Sequence, residues 1–277
     1  MWLDGMFYLP LVMYGINRLI DKDKPLLYII SLAIMLFSNY FIGYMICIFS
    51  VLYFISYVFY KGNYKVKYIL TKCATFGISS VLAAGIVSFA LVPLYFSLNS
   101  ISATGGVFPS FKLNFGLTDY LFNHIPFVDR TVFASDHLPL PNIYSGVLTL
   151  VMLLILFFND KINIKFKVIA VISILFFFLS FNINTIDFVW HAFHVPNDLP
   201  YRYSFLYVFT LIIFGYYSML KSKDLGYLKT TICFMVVFVF VMLASKFNFK
   251  NLDNNRIIVC LIVLTLYYLL YLFSFVK

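Results

Sequence analysis

The sequence has no glutamate, and only 11% of its residues are charged. Soluble domains carry about 25% charged residues, so a water-soluble globular protein is excluded. The four cysteines lie inside apolar runs without metal-ligand spacing, which argues against a zinc centre or a disulfide framework. The patterns GxxxxGK[ST], GxGxxG, HExxH and GxSxG are absent, so nucleotide-driven transport and the common hydrolases find no support.

Hydrophobic residues make up 63% of the 277 residues, and the mean hydropathy is +0.95. A bilayer-spanning helix needs roughly 20 mostly apolar residues, and its backbone polar groups must pair within the segment. We therefore predict an all-α polytopic transmembrane protein, with a single membrane domain over residues 1–277. The nine predicted segments are 2–17, 26–37, 41–60, 68–98, 143–158, 166–181, 201–220, 228–245 and 257–276.

Residues 26–60 form an apolar run of about 50 Å if helical, too long for a ~30 Å hydrocarbon core. We predict two helices that break at Asn39. The break places 14 of the 20 basic residues on one side, which the positive-inside rule makes cytoplasmic. The N-terminus is then outside, Lys277 is inside, and residues 99–142 and 182–200 are external. The cytoplasmic set is Arg18, Lys22, Lys24, Lys61, Lys65, Lys67, Lys72, Lys161, Lys165, Lys167, Lys221, Lys223, Lys229 and Lys277.

The stretch HAFHVPNDLPYRYSF, residues 191–205, gathers polar side chains in one external connection. Arg202 precedes a predicted span, and its guanidinium could hold two oxygens of a lipid phosphate. We predict that Tyr201 braces it and that His191 or His194 donates to the same phosphate. Asp198 is a further candidate for binding the lipid phosphate or the substrate. The alternative is an arginine that snorkels to lipid headgroups while its aromatic neighbours form an interfacial belt.

Three further external residues are candidates for substrate binding. Asp4, near the outer end of the first span, marks a site or caps the helix. Asp136 and His137 lie in the long connection, where either could act as a general base or ligate a divalent metal. The alternative for each carboxylate of that connection is a helix cap or an ion pair with Arg130. We assign no catalytic residue and no metal site.

Four blocks of sequence are similar to the YfhO family of bacterial membrane proteins. The resemblance extends over nearly the whole chain to about residue 220. The blocks are MWLDGMFYLPLVMYGINRLI (1–20), LYIISLAIMLFSNYFIGYMICIFSVLYF (27–54), LPNIYSGVLTL (140–150) and LSFNINTIDFVWHAFHVPNDLPYRYSFL (179–206).

The resemblance implies a GT-C-type glycosyltransferase in a bacterial membrane, and the richness in Phe, Tyr, Ile, Lys and Asn suits the AT-rich genome of a Gram-positive bacterium. Such an enzyme transfers a sugar from a polyprenyl-phosphate donor to a cell-envelope acceptor such as teichoic acid. GT-C enzymes carry their main catalytic aspartate in the first external loop, and nothing here matches that loop. We therefore expect an internal portion of a longer protein, whose N-terminal catalytic loop and C-terminal part lie elsewhere. The alternative is a non-enzymatic flippase or partner subunit for lipid-linked sugars; nucleic acid is not expected as a partner.

Overall fold

The computed structural model describes residues 3–99, 108–133, 135–136, 139–196, 198–247, 249 and 252–276. Helix makes up 76% of the chain, and within the described ranges the only β pairing consists of two isolated antiparallel bridges. The prediction of an all-α protein is therefore confirmed. The helices are α1 (Leu3–Lys22), α2 (Leu26–Ser38), α3 (Tyr40–Lys61), α4 (Val66–Ile86), α5 (Ser88–Asn99), α6 (Leu117–Phe122), α7 (Val147–Phe158), α8 (Ile164–Asn182), α9 (Asn184–Trp190), α10 (Ser204–Leu220), α11 (Tyr227–Lys246) and α12 (Asn254–Val276).

Five of these helices, namely α3, α4, α8, α11 and α12, are long and apolar enough to cross a membrane. Four apolar helices are shorter (α2, α5, α7 and α10), with lengths between 10 and 17 residues. At 1.5 Å per residue the 13 residues of α2 extend about 20 Å, which is less than a ~30 Å hydrocarbon core. Because five helices are long and apolar enough to cross a membrane, the chain is a multi-pass membrane protein. The count of nine membrane segments stays a prediction.

The predicted segment 68–98 is not one continuous helix. It forms two helices: α4 ends at Ile86, and the following residue Val87, with φ of −103° and ψ of 11°, leaves the helical region. A continuous helix over this range would be about 46 Å long, well beyond the hydrocarbon core. Gly85 weakens the helix just before the break, and Pro93 inside α5 removes one backbone donor after it.

Packing divides the chain into two compact units. Unit 1 comprises Met1–Ser110 and Thr185–Val195, and unit 2 comprises Phe111–Asn184 and Pro196–Lys277. Each unit has its own set of packed helices. The prediction of a single membrane domain stays a prediction.

In unit 1 the chain reverses direction at Asn39, which confirms the predicted break. Asn39 has extended backbone angles, and its side-chain oxygen accepts a hydrogen bond from Ile42 N at 3.1 Å. This is an N-cap, which replaces one of the backbone bonds that the start of a helix lacks. After the reversal, Gly43 of α3 packs against Leu36 of α2, so the two helices form a hairpin.

Polar contacts set the direction of α3 relative to α1. Tyr53 donates to Asn17 at 3.0 Å, and one turn later Tyr57 donates to Asp21 at 2.7 Å. The two helices are therefore parallel, with matching turns side by side. At their common end Lys61 forms an ion pair with Asp21 at 2.7 Å. The cations of the first two predicted cytoplasmic loops thus meet at one end of unit 1; their side of the membrane stays a prediction.

In unit 2, α7 and α10 pack closely because Gly215 faces Thr149, where an added Cβ would lie 3.2 Å from the Thr149 methyl. The core between α7, α8 and α10 includes Leu156, Ala170 and Phe214. Close approach through small residues is the usual way in which membrane helices associate, since lipid gives no hydrophobic drive.

The long connection of unit 2 is docked on helices rather than extended into solvent. The side-chain oxygen of Asn182, at the end of α8, accepts from Asn114 N and Phe115 N, both at 3.0 Å. Phe122 of α6 packs its ring on Phe240 and Phe247 of the α11 region. The described part of the connection therefore rests on other elements.

Candidate functional site

Two groups of polar side chains contain most of the residues that the sequence put forward. His191 and His194 belong to unit 1, whereas Asp136, Asp198, Tyr201 and Arg202 belong to unit 2. Each group is a candidate site of its own. The shared phosphate predicted for Arg202 and a histidine stays a prediction.

The unit 1 group lies just after α9. His191 follows the last helical residue and places its Nδ1 2.9 Å from the carbonyl oxygen of Asp187, with the Asp187 carboxylate at 3.4 Å. His194 places its Nδ1 2.6 Å from the carbonyl oxygen of His191. Because a carbonyl can only accept, both Nδ1 atoms donate, and a neutral ring then carries its lone pair on Nε2.

The start of α3 positions this group. Tyr44 donates to the carbonyl of Val189 at 3.0 Å, and the ring of Phe41 lies 6.3 Å from His191 and 5.8 Å from His194. His191 is fully buried, while His194 is partly exposed. Of the two, His194 is therefore the one that can reach a ligand without rearrangement.

The unit 2 group is built around Arg202, immediately before α10. Its Nη2 donates to the carbonyl of Asp198 at 3.1 Å, and its Nε donates to the carbonyl of Leu199 at 3.3 Å. These two bonds orient the guanidinium, and the side chain is partly exposed. The cation is thus held at the start of the helix by the loop that precedes it.

The long connection supports the same loop. Leu199 N donates to the carbonyl of Val132 at 2.8 Å, next to an antiparallel bridge between Phe133 and Asp198. The Asp136 carboxylate accepts from Val132 N at 3.1 Å and from Phe133 N at 3.2 Å. Asp136 therefore stabilises the turn that carries this bridge, and it caps no helix among the described residues around it.

The backbone of the segment from residue 192 to residue 201 has unusual φ angles. Six described residues other than glycine have positive φ, and four of them lie between residues 192 and 201: Ala192, Phe193, Leu199 and Tyr201, with φ between 52° and 63°. L-residues adopt this region at a cost of about 1–3 kcal/mol, and such outliers cluster at ligand-binding and switch segments. No sequence pattern indicated them.

The aromatic neighbours of Arg202 are not an exposed belt. Tyr201 is buried between the rings of Phe115 and Phe181, at 6.3 Å and 6.0 Å, and Tyr203 is fully buried with its hydroxyl on the Ser180 carbonyl at 2.8 Å. The belt interpretation is wrong for these two rings. Tyr201 packs inward against these rings, and its support of Arg202 stays a prediction.

Two other predicted residues have limited description. Asp4 lies in the first turn of α1, where the helix dipole favours a negative charge, and it is partly exposed. His137 lies outside the described residues. Within the described residues no group of three or more His, Cys or Asp side chains could hold a metal ion.

Asp129 has a partner that is distant in the sequence. Asp129 accepts from Nη1 of Arg256, at the start of α12, at 2.9 Å. The same nitrogen donates to the carbonyl of Phe127 at 2.9 Å. The long connection is thus tied to a helix more than a hundred residues away.

His124 is a buried polar residue to which the sequence assigned no specific role. Its Nδ1 lies 3.0 Å from the carbonyl of Tyr120, and its Nε2 lies 2.9 Å from the hydroxyl of Tyr207. Since Nδ1 donates to the carbonyl, Nε2 accepts the hydroxyl proton of Tyr207. Burial lowers the pKa of His124 to about 4, which keeps the ring neutral in this arrangement.

Apolar helices of spanning length and polar side chains gathered in the connections define a multi-pass helical membrane protein. A family model described as "Bacterial membrane protein YfhO" matches residues 1–277, and the chain belongs to this family. No curated protein and no solved structure matches it.

Proposed function

We propose that the chain handles a polyprenyl-phosphate-linked sugar for glycosylation of the cell envelope, as part of a GT-C-like membrane glycosyltransferase. The observation that carries the proposal is the placement of Arg202. It is a permanent cation, held by two backbone carbonyls at the mouth of α10 and still partly exposed. A guanidinium presents planar paired donors, which suit two oxygens of one phosphate better than the point charge of a lysine does.

The environment of Arg202 is suited to an anionic lipid headgroup. The carbonyls of Asp198 and Leu199 fix the direction of the guanidinium before any ligand arrives, which lowers the entropy that binding costs. The long apolar helices of unit 2 supply lipid-facing surface for a prenyl chain. In this proposal Arg202 binds and orients the donor phosphate, and no catalytic base is assigned to the described residues.

The test compares Arg202→Ala and Arg202→Lys in the purified chain, with undecaprenyl phosphate as the ligand. A charged hydrogen bond contributes about 1.5–3 kcal/mol, so Arg202→Ala should weaken binding roughly 10- to 150-fold. Arg202→Lys should recover only part of this loss. Lysine snorkels as well as arginine does. If Arg202 only snorkels, Arg202→Lys should bind the lipid as tightly as the wild type does, and that result would refute the proposal.

Two controls separate phosphate binding from support of the loop. Undecaprenol, which lacks the phosphate, should bind equally well to the wild type and to both variants. Arg130→Ala removes the same charge from an exposed position of the long connection and should leave affinity for the phosphate unchanged. Loss of undecaprenol binding in Arg202→Ala would show that the loop had lost its structure, and it would refute phosphate binding as the role of Arg202.

A further inference from the structure

The end of unit 1 at which α1 and α3 finish and α2 and α4 begin carries an excess of positive charge. Seven basic residues lie there, against two acids. We call this set the basic end: Arg18, Lys22, Lys24, Lys61, Lys65, Lys67 and Lys72, with Asp21 and Asp23.

Both acids of the basic end are already neutralised. Asp21 pairs with Lys61 at 2.7 Å and also accepts from Tyr57. Asp23 pairs at 2.6 Å with Lys72, a lysine that is only 4% exposed. The described part of unit 1 offers no acid within ion-pair distance of the five remaining cations.

Arg18 adds a donor that the fold leaves unused. Its Nε–H is buried and has no hydrogen-bond partner among the described residues. A buried donor on a charged group is costly unless an acceptor reaches it. The oxygen of a phosphate diester would supply that acceptor together with the missing negative charge.

The loops fix where such an acceptor must come from. Three residues connect α1 to α2 and four connect α3 to α4. Loops this short cannot carry their lysines far from the ends of the helices, so the cations stay at the level of the lipid headgroups. Lysines in that position attract anionic lipids, each by about fivefold in affinity.

We propose that the basic end of unit 1 binds the headgroup of an anionic phospholipid, with Arg18 donating to the phosphate and Lys22, Lys24, Lys65 and Lys67 surrounding it. The site is in unit 1 and does not depend on Arg202. It would anchor the α1–α4 hairpins to one leaflet and couple their packing to the lipid composition of that leaflet.

The test titrates the detergent-solubilised chain with phosphatidylglycerol and, in parallel, with phosphatidylcholine, and counts bound lipids by native mass spectrometry. Phosphatidylglycerol should bind and raise the melting temperature, whereas phosphatidylcholine should do neither. The variant Lys24→Gln/Lys65→Gln should weaken phosphatidylglycerol binding about 25-fold. Both lysines are exposed, so the fold of the unliganded protein should be unaffected.

The matched control is Lys112→Gln/Lys246→Gln, which removes two exposed lysines from unit 2 and should leave binding unchanged. An equal loss in the two double variants would overturn the proposal, since only net charge would then matter. Equal binding of phosphatidylcholine would overturn it as well. Displacement of the lipid by inorganic phosphate at matched concentration would mean a soluble anion site and would also refute it.

Discussion

Gly15 of α1 lies against the backbone of α2 so closely that a single methyl group should separate the two helices. A Cβ at this position would lie 2.6 Å from Tyr28 Cα and 2.7 Å from Tyr28 N. Carbon atoms in contact lie about 3.5–4.0 Å apart, so α1 and α2 would have to move apart by about 1 Å. Because the obstructing atoms are backbone, no change of rotamer can relieve the clash.

The expected cost of Gly15→Ala follows from overpacking. Inserting a methyl group into a packed interface costs about 1–3 kcal/mol of folding stability. The movement also disturbs α4, since Tyr28 hydrogen-bonds to Ser80 at 2.8 Å and stacks on Phe76. Loss of these contacts adds to the cost and spreads it through three helices of unit 1.

Gly77→Ala in α4 is the matched control. A Cβ at Gly77 would meet no atom within 4 Å, so the same chemical change carries no clash there. Alanine favours a helix over glycine by up to about 1 kcal/mol, so this variant should be neutral or slightly more stable. The two substitutions therefore differ in sign, although both replace a helical glycine by alanine.

The assay is thermal unfolding of the purified protein in one detergent, followed by circular dichroism. Each kcal/mol shifts the melting temperature by roughly 2–4 °C for a chain of this size. Gly15→Ala should melt several degrees below the wild type, and Gly77→Ala should melt at or above it. Equal melting temperatures for the two variants would refute the close packing of α1 on α2.

Three further outcomes are expected. Burial lowers the pKa of His124 to about 4, while a histidine in the unfolded chain titrates near 6.5. The free energy of unfolding should therefore fall by about 3 kcal/mol as the pH drops from about 6.5 to 4, and this contribution to the pH dependence should be missing in His124→Gln. Asn182→Ala should destabilise the protein by about 1–3 kcal/mol and speed proteolysis of the long connection, whereas Asn182→Asp, which keeps the accepting oxygen, should do so less. In a background without native cysteines, a cysteine at Ser110 should react with an impermeant maleimide from outside, and one at the exposed Lys223 only after permeabilisation; labelling of both from outside would contradict the topology.

The reversal at Asn39 was predictable because two independent signals meet there. A cap residue interrupts an apolar run that is too long for one span, and the break restores the charge bias of every later loop. The break at Val87 has no such support. Gly85 and Pro93 lie near Val87, but neither predicts that the helix breaks at this residue. The charge pattern gives no signal either, because α4 and α5 together take the place of one predicted segment, so the break changes the predicted side of no later loop.

The long-range contacts of the connections could not be predicted, since they depend on which elements meet in space. Asp129 has an arginine as its neighbour in sequence, yet it pairs with Arg256, 127 residues away. Asn182 gives no sign in sequence that it accepts from the backbone of Phe115, 67 residues earlier. The spacing of residues in the sequence identifies local caps and helix faces. It does not predict which side chains meet when a connection packs on helices that are distant in the sequence.

Two of the predicted site residues already donate hydrogen bonds to backbone carbonyls of their own segments. His194 bonds the carbonyl of His191, and Arg202 bonds the carbonyls of Asp198 and Leu199. These are the segments in which four residues adopt left-handed backbone, at about 1–3 kcal/mol each. A structural role alone would be met more simply by glycine at those positions, which adopts positive φ without strain. The strain in each unit therefore has to be offset by local hydrogen bonds, which His194 supplies in unit 1 and Arg202 supplies in unit 2.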